Sequence, residues 1–170
     1  VAVRIAGPGH EALPDGEDGQ VLVRGDVVMS GYWHDEAATS STVVDGWLRT
    51  GDLGHLADGY LYLTDRLKDV IITGGSNVYP REVEEVLLTH PGMSEVAVIG
   101  VPDPEWGESI RAVVVAEGPL SAADVIDFCR TRLASFKKPR DVVFLQQLPQ
   151  NATGKVLKRD LREPPLDNSR

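Results

Sequence analysis

Asn151, Ala152, Thr153, Gly154 and Lys155 set one primary amine on a polar, glycine-containing loop ahead of a helix-forming segment, Lys155 to Arg162. Free backbone N–H groups at a helix start favour anions, so this string suits a clamp for a phosphate or a carboxylate. It also reads as an ordinary helix start with a solvated lysine, and spacing alone does not separate the two.

Three further clusters carry polar chemistry. Arg49, Thr50, Gly51 and Asp52 follow Gly46, Trp47 and Leu48 and read as a tight turn bearing an acid and a hydroxyl. An aspartate there can accept hydrogen bonds from paired sugar hydroxyls, or can bond only its own backbone in an Asx turn. Asp65, Arg66, Leu67, Lys68 and Asp69 pack four charges between two apolar runs, which suits a solvated connector or a hinge that absorbs backbone rotation. In Thr73, Gly74, Gly75, Ser76 and Asn77, the missing Cβ atoms let a ligand approach the backbone, or serve a strand-to-helix turn with positive φ. His10, His34, His55 and His90 lack metal-ligand spacing and cysteine partners, so no metal site is expected from them. Neither a P-loop nor a G-x-G-x-x-G string occurs.

The elements that must position these residues fall into two textures. From Val1 to about Leu63, short apolar runs are broken by glycine, as at Val21 to Val23, Trp47 to Leu48 and Tyr60 to Leu63, which predicts β-rich structure. Asp58 and Gly59 supply a hairpin turn before Tyr60. After Thr64 the periodicity alternates between strand and helix. Pro80 starts a helix with Val83, Val86 and Leu87 on one face and Glu82, Glu84 and Glu85 on the solvated side, and Pro91 with Gly92 stops it. Glu95 to Val101, Ile110 to Ala116 and Asp141 to Leu145 read as three strands, and Ser121 with Asp124 as a variant capping box for a helix between the last two. Cys129 recurs with Val125, Ile126 and Leu133 at helical spacing, so the single thiol is expected in the core. The expected organisation is α+β. Residues 1–64 form the β-rich end of a larger domain, 65–166 a small α+β domain with a three-stranded sheet and flanking helices, and 167–170 a disordered tail.

Composition narrows the function. A formal net charge of −9 opposes nonspecific affinity for DNA or RNA, which needs basic surface against phosphates. With 42% hydrophobic and 25% charged residues and no long apolar run, the make-up is that of a soluble protein without a membrane segment. One cysteine excludes an internal disulfide and points to a reducing, cytoplasmic location. Homo-oligomerisation is left open. Val1 already lies in strand-like sequence, so the chain is expected to be a piece of a longer protein.

The order of the motifs is more specific than any one of them. Gly19 to Gly25 (GQVLVRG), Gly31 to Trp33, Gly46 to Gly54 (GWLRTGDLG), Asp65 to Glu85 (DRLKDVIITGGSNVYPREVEE) and Pro149 to Lys158 (PQNATGKVLK) together resemble the late motifs of adenylate-forming, AMP-binding enzymes. The wording is closer to acyl-CoA and aryl-CoA ligases and luciferases than to peptide-synthetase adenylation domains. The resemblance implies an acyl-CoA synthetase: a carboxylic acid and ATP give an acyl-adenylate, and CoA then takes the acyl group. A luciferase-like or peptide-synthetase enzyme with another acceptor, or a non-catalytic interaction module, are the alternatives.

By the same resemblance, Lys155 is the adenylation lysine, Asp52 holds the ribose hydroxyls of ATP, and Arg66 contacts the ribose and phosphate region. Lys68 stands at the hinge, and Gly74 and Gly75 line the route of the CoA pantetheine arm. Lys137, Lys138 and Arg140 are either contacts for CoA phosphates or a solvated basic patch. The phosphate-binding loop, the adenine-binding motif, the Mg2+ ligand and the acyl pocket are expected upstream of residue 1, so the 170 residues alone are expected to be inactive.

Overall fold

The computed structural model describes residues 1–162, and the tail expected at 167–170 lies outside them. The chain divides into two compact units, Val1–Lys68 and Asp69–Arg170.

The first unit is built on an antiparallel sheet of β1 (Ala2–Ala6), β2 (Gly19–Arg24), β3 (Val43–Val44), β4 (Trp47–Ala57) and β5 (Tyr60–Arg66). Strand order is β1-β2-β4-β3, with β5 also on β4. Two Asp-Gly pairs make its tight hairpins. Asp45 and Gly46 join β3 to β4, and Asp58 and Gly59 join β4 to β5, with positive φ at all four residues. That is the type I′ geometry whose twist matches the flanking strands. Ile5, Ala6, Val21, Leu22 and Leu53 form the buried apolar set. A short helix, α1 (Glu36–Thr42), precedes β3, its first turn capped by Asp35 through the Ala38 N–H at 2.8 Å.

The second unit places helices against both faces of one sheet. Its strands are β6 (Ile71–Thr73), β7 (Ser76–Val78), β8 (Met93–Asp103), β9 (Gly107–Ala116) and β10 (Asp141–Phe144). Strands β8 and β9 run antiparallel over their whole length, β10 lies parallel to β9, and the β6–β7 hairpin joins through Thr73 and Gly107. The sheet therefore holds the three strands expected from sequence plus this hairpin, whose first strand falls in the strand-like run 70–73 and whose second, Ser76–Val78, is too short to show alternation.

Period-two alternation divides β8 between two cores. Val96 and Val98 face Val83 and Leu87 of α2 (Pro80–Leu88) and Val125 and Cys129 of α3 (Ala122–Arg130). Ala97 and Ile99 belong to a second cluster with Val113, Leu148 and Leu161, the last on α4 (Lys158–Arg162). The capping box forms: Ser121 Oγ accepts from the Asp124 N–H, and the Asp124 carboxylate accepts from the Ser121 N–H at 3.0 Å. Those Ser121 bonds hold the Asp124 carboxyl below its ordinary range. Burial pushes the Cys129 thiol up, as fits a packed, inert cysteine.

Neighbouring leucines test the helix facing. Leu87 is fully buried and Leu88 is 48% exposed. Leu87→Ala is expected to cost about 2–5 kcal/mol in denaturant unfolding, whereas Leu88→Ala should stay within about 0.5 kcal/mol.

Candidate functional site

Lys155 sits on a polar excursion whose stem is closed by backbone pairing. The Leu157 N–H donates to Pro149 O at 2.8 Å, and Gln150 bridges Val156. At the tip, one side chain organises the turn. Asn151 Oδ1 accepts from the Thr153 N–H at 3.0 Å, the Thr153 hydroxyl at 2.7 Å and the Lys155 N–H at 2.9 Å. Gly154, with φ +80, donates its N–H to Asn151 O at 2.9 Å. The loop is thus an Asx-type turn that fixes the backbone of Lys155 while the side chain stays exposed. Among the described residues no ion pair or hydrogen bond engages its ammonium. The expected helix from Lys155 is corrected: α4 begins at Lys158, because residues 149–157 fold back on themselves before helical geometry starts. Lys155 is presented by a side-chain-braced turn and not by a helix start.

Asp52 and Arg66 meet in the first unit. They are opposite one another across β4 and β5, and Arg66 Nε lies 3.1 Å from Asp52 Oδ1. The segment is not the tight turn its composition suggests but part of the long strand β4, made irregular by Gly51 at φ +77 and a register shift at Leu53 and Gly54. Gly54 is required there, since a Cβ would lie 2.2 Å from Tyr62 O. The Asx turn does not form. Instead the Thr50 hydroxyl donates to Val21 O at 2.9 Å and accepts the Asp52 N–H at 3.0 Å, which frees the carboxylate to face outward, its side chain 28% exposed. A carboxylate left partly open to solvent in this way can accept from a vicinal diol.

Lys68 is exposed in a single 3-10 turn, Leu67–Asp69. Gly74 and Gly75 form the two-residue loop of the β6–β7 hairpin, with φ +55 and +78, so they turn a strand into a strand and not into a helix. The Gly74 N–H donates to Trp106 O at 2.9 Å, and a Cβ on Gly74 would lie 2.7 Å from the Trp106 ring. A Cβ on Gly75 would meet nothing within 4 Å. No hydrogen bond joins Lys155 to either glycine among the described residues.

Of the basic candidates Lys137, Lys138 and Arg140, the first and last have partners. Lys137 Nζ is 2.7 Å from both carboxylate oxygens of Glu82, and the Arg140 guanidinium lies 4.7 Å from the Trp106 ring centroid. Among the described residues there is no group of three His, Cys, Asp or Glu side chains suited to a metal, and no helix long and apolar enough to cross a membrane. Sequence reasoning missed Asn151 as the organiser of its loop, although an Asn three residues before a glycine is a turn signal in its own right.

An α+β unit with its sheet covered on both faces presents an exposed lysine on an ordered loop, and a sheet presenting an Asp–Arg pair precedes it in the chain. Residues 82–155 match the family profile of the AMP-binding enzyme C-terminal domain, and the chain belongs to that adenylate-forming family. It is 49% identical over 148 residues to the long-chain-fatty-acid–CoA ligase FadD13 of Mycobacterium tuberculosis, covering 86% of this chain and 29% of that protein. A feruloyl-CoA synthase from Amycolatopsis is 48% identical over 163 residues, covering 94% and 33%. Among solved structures, ATP-bound MatB from Rhodopseudomonas palustris matches with a TM-score of 0.92 at 41% identity, covering 95% of this chain and 33% of that one. The chain spans about a third of the length of the relatives it matches.

Replacing Asn151 by Ala should leave the fold intact while loosening the loop. The amides of Thr153 and Lys155 are expected to exchange with solvent on the order of tenfold faster, the equivalent of about 1 kcal/mol of lost hydrogen bonding, in hydrogen-exchange NMR.

Proposed function

We propose that this chain is the lysine-bearing portion of an ATP-dependent acid–thiol ligase of the acyl-CoA synthetase type. In the first half-reaction a carboxylate oxygen of the substrate bonds to the α-phosphorus of ATP while the bond from that phosphorus to pyrophosphate breaks. In the second, the CoA sulfur bonds to the acyl carbon, the thiol proton is lost, and AMP departs with the bridging oxygen.

The observation that carries this reading is the exposed Lys155 amine, ion-paired with none of the described residues and held on an ordered turn. Two anions must approach for the first step, and a fixed ammonium between them offsets their repulsion. Lys155 acts as a clamp and moves no proton. Asp52, oriented by Arg66 and Thr50, would accept from the ribose hydroxyls, with Arg66 beside it for the ribose and phosphate region. Gly75, with open space where a side chain would be, leaves room for a thin pantetheine chain, and Gly74 next to it would line the same route through its backbone, since the Trp106 ring fills the place of its side chain. Lys68 would be the pivot that presents the second unit differently to the two half-reactions. Magnesium would offset charge on the triphosphate, and this reading assigns it no residue of the chain. The single unpaired thiol is in keeping with a cytoplasmic enzyme.

Lys155→Ala in the longer enzyme carrying this chain should lower adenylation, followed by pyrophosphate exchange, by about 100-fold or more. Thioester formation from supplied acyl-adenylate should change only a few-fold, and equal losses in both would remove Lys155 from the assigned role. Lys68→Pro, which fixes φ, is expected to do the reverse: pyrophosphate exchange is retained while thioester formation falls about tenfold or more. No difference between the two half-reactions would discard Lys68 as the pivot.

A further inference from the structure

Among the described residues strand β8 pairs only with β9, so its outer edge carries N–H groups that need other acceptors. At Val98 the acceptor is a side chain from the helical layer: the N–H donates to Glu84 Oε1 of α2 at 2.8 Å. The same oxygen lies 2.7 Å from Lys158 Nζ, on α4 in the opposite layer. Both side chains are mostly withdrawn from solvent, Lys158 at 19% and Glu84 at 17% exposed. Glu84 was expected on the solvated face of α2. Instead its carboxylate wraps the sheet edge and ties the two layers together.

The tie ends three residues from Lys155. Helix α4 is only five residues long, and three anchors hold it: buried Leu161, the Glu84–Lys158 pair, and Arg162, whose Nη2 is 3.3 Å from Asp69 Oδ1. Asp69 directly follows Lys68 in the chain. The Asn151 turn fixes the loop internally, and its C-terminal stem is located on the unit by these contacts together with Val156, which packs against the second cluster, and the Leu157–Pro149 backbone bond.

We propose that Glu84 and Lys158 are positioning residues for Lys155, setting where its ammonium stands in the adenylation half-reaction. The proposal rests on the function assigned above. Neither residue touches substrate. A partly buried ion pair contributes little net stability, but removing one partner leaves an uncompensated charge that must find water. For Lys158 that means leaving the β8 edge and taking the α4 start, and with it the loop stem, along. A displacement of about 1 Å in a charge-stabilising group is enough to cost on the order of 100-fold in rate.

Glu84→Gln keeps an acceptor for the Val98 N–H while removing the charge that Lys158 needs. In the longer enzyme it should lower kcat for pyrophosphate exchange about 10- to 100-fold, with KM for ATP within about twofold and thioester formation from supplied acyl-adenylate nearly unchanged. Lys158→Met should reproduce this split, and Lys158→Arg should restore most of the rate. Equal losses in both half-reactions, or an adenylation rate within about twofold of wild type in both Glu84→Gln and Lys158→Met, would overturn the proposal. Lys155→Ala in the same panel separates the two levels: if it impairs adenylation while Glu84→Gln and Lys158→Met do not, the positioning role fails and the ligase reading stands. If Lys155→Ala also leaves adenylation intact, the ligase reading fails and takes the positioning role with it.

Discussion

The second unit is governed by one constraint: the β8–β9 pair is buried on both faces, so each face needs its own apolar layer. One face is covered by α2 and α3, through Val83, Leu87, Val125 and Cys129. The other is covered by the end of the described chain, through Leu148 and Leu161. The loop that presents Lys155 lies between those two leucines in sequence. It is a polar detour in a segment whose anchors are apolar, which is how a small domain can hold an exposed cation on a defined backbone. Loops that carry function work best when a rigid scaffold fixes both their ends.

Much of this was legible in the residues because it depends on near neighbours. Asp58 and Gly59 made the hairpin turn that an Asp-Gly pair favours, the Ser121 capping box formed, and Cys129 followed its helical period into the core. The α+β class, with one antiparallel sheet, one mixed sheet and few helices, followed from the change of period along the chain. The order of five motifs carried the family.

What was not legible depends on residues far apart. The Gly74–Gly75 pair read as a strand-to-helix turn because three-residue strands give no alternation to detect, and only pairing with the distant Gly107 shows that the chain continues as sheet. The start of the last helix was placed at Lys155 because nothing in its spacing reveals the backbone bond from Leu157 to Pro149. Glu84 looked like one of three solvated acids on α2, and its periodicity was right. Its environment was set by an edge strand and a lysine that lie elsewhere in the sequence. Asp52 and Arg66, by contrast, stand in consecutive antiparallel strands, and their ion pair follows from register.

The placement of Leu148 and Leu161 on either side of the lysine loop ties reactivity to folding. Deleting this stretch to silence the domain would also strip the cover from Ala97, Ile99 and Val113 and leave a sticky sheet face in water. A lineage that kept the fold while abandoning the chemistry would therefore have to retain the segment and exchange the one amine. Among descendants of such a chain, loss of activity should be written as a single altered letter and not as a missing tail.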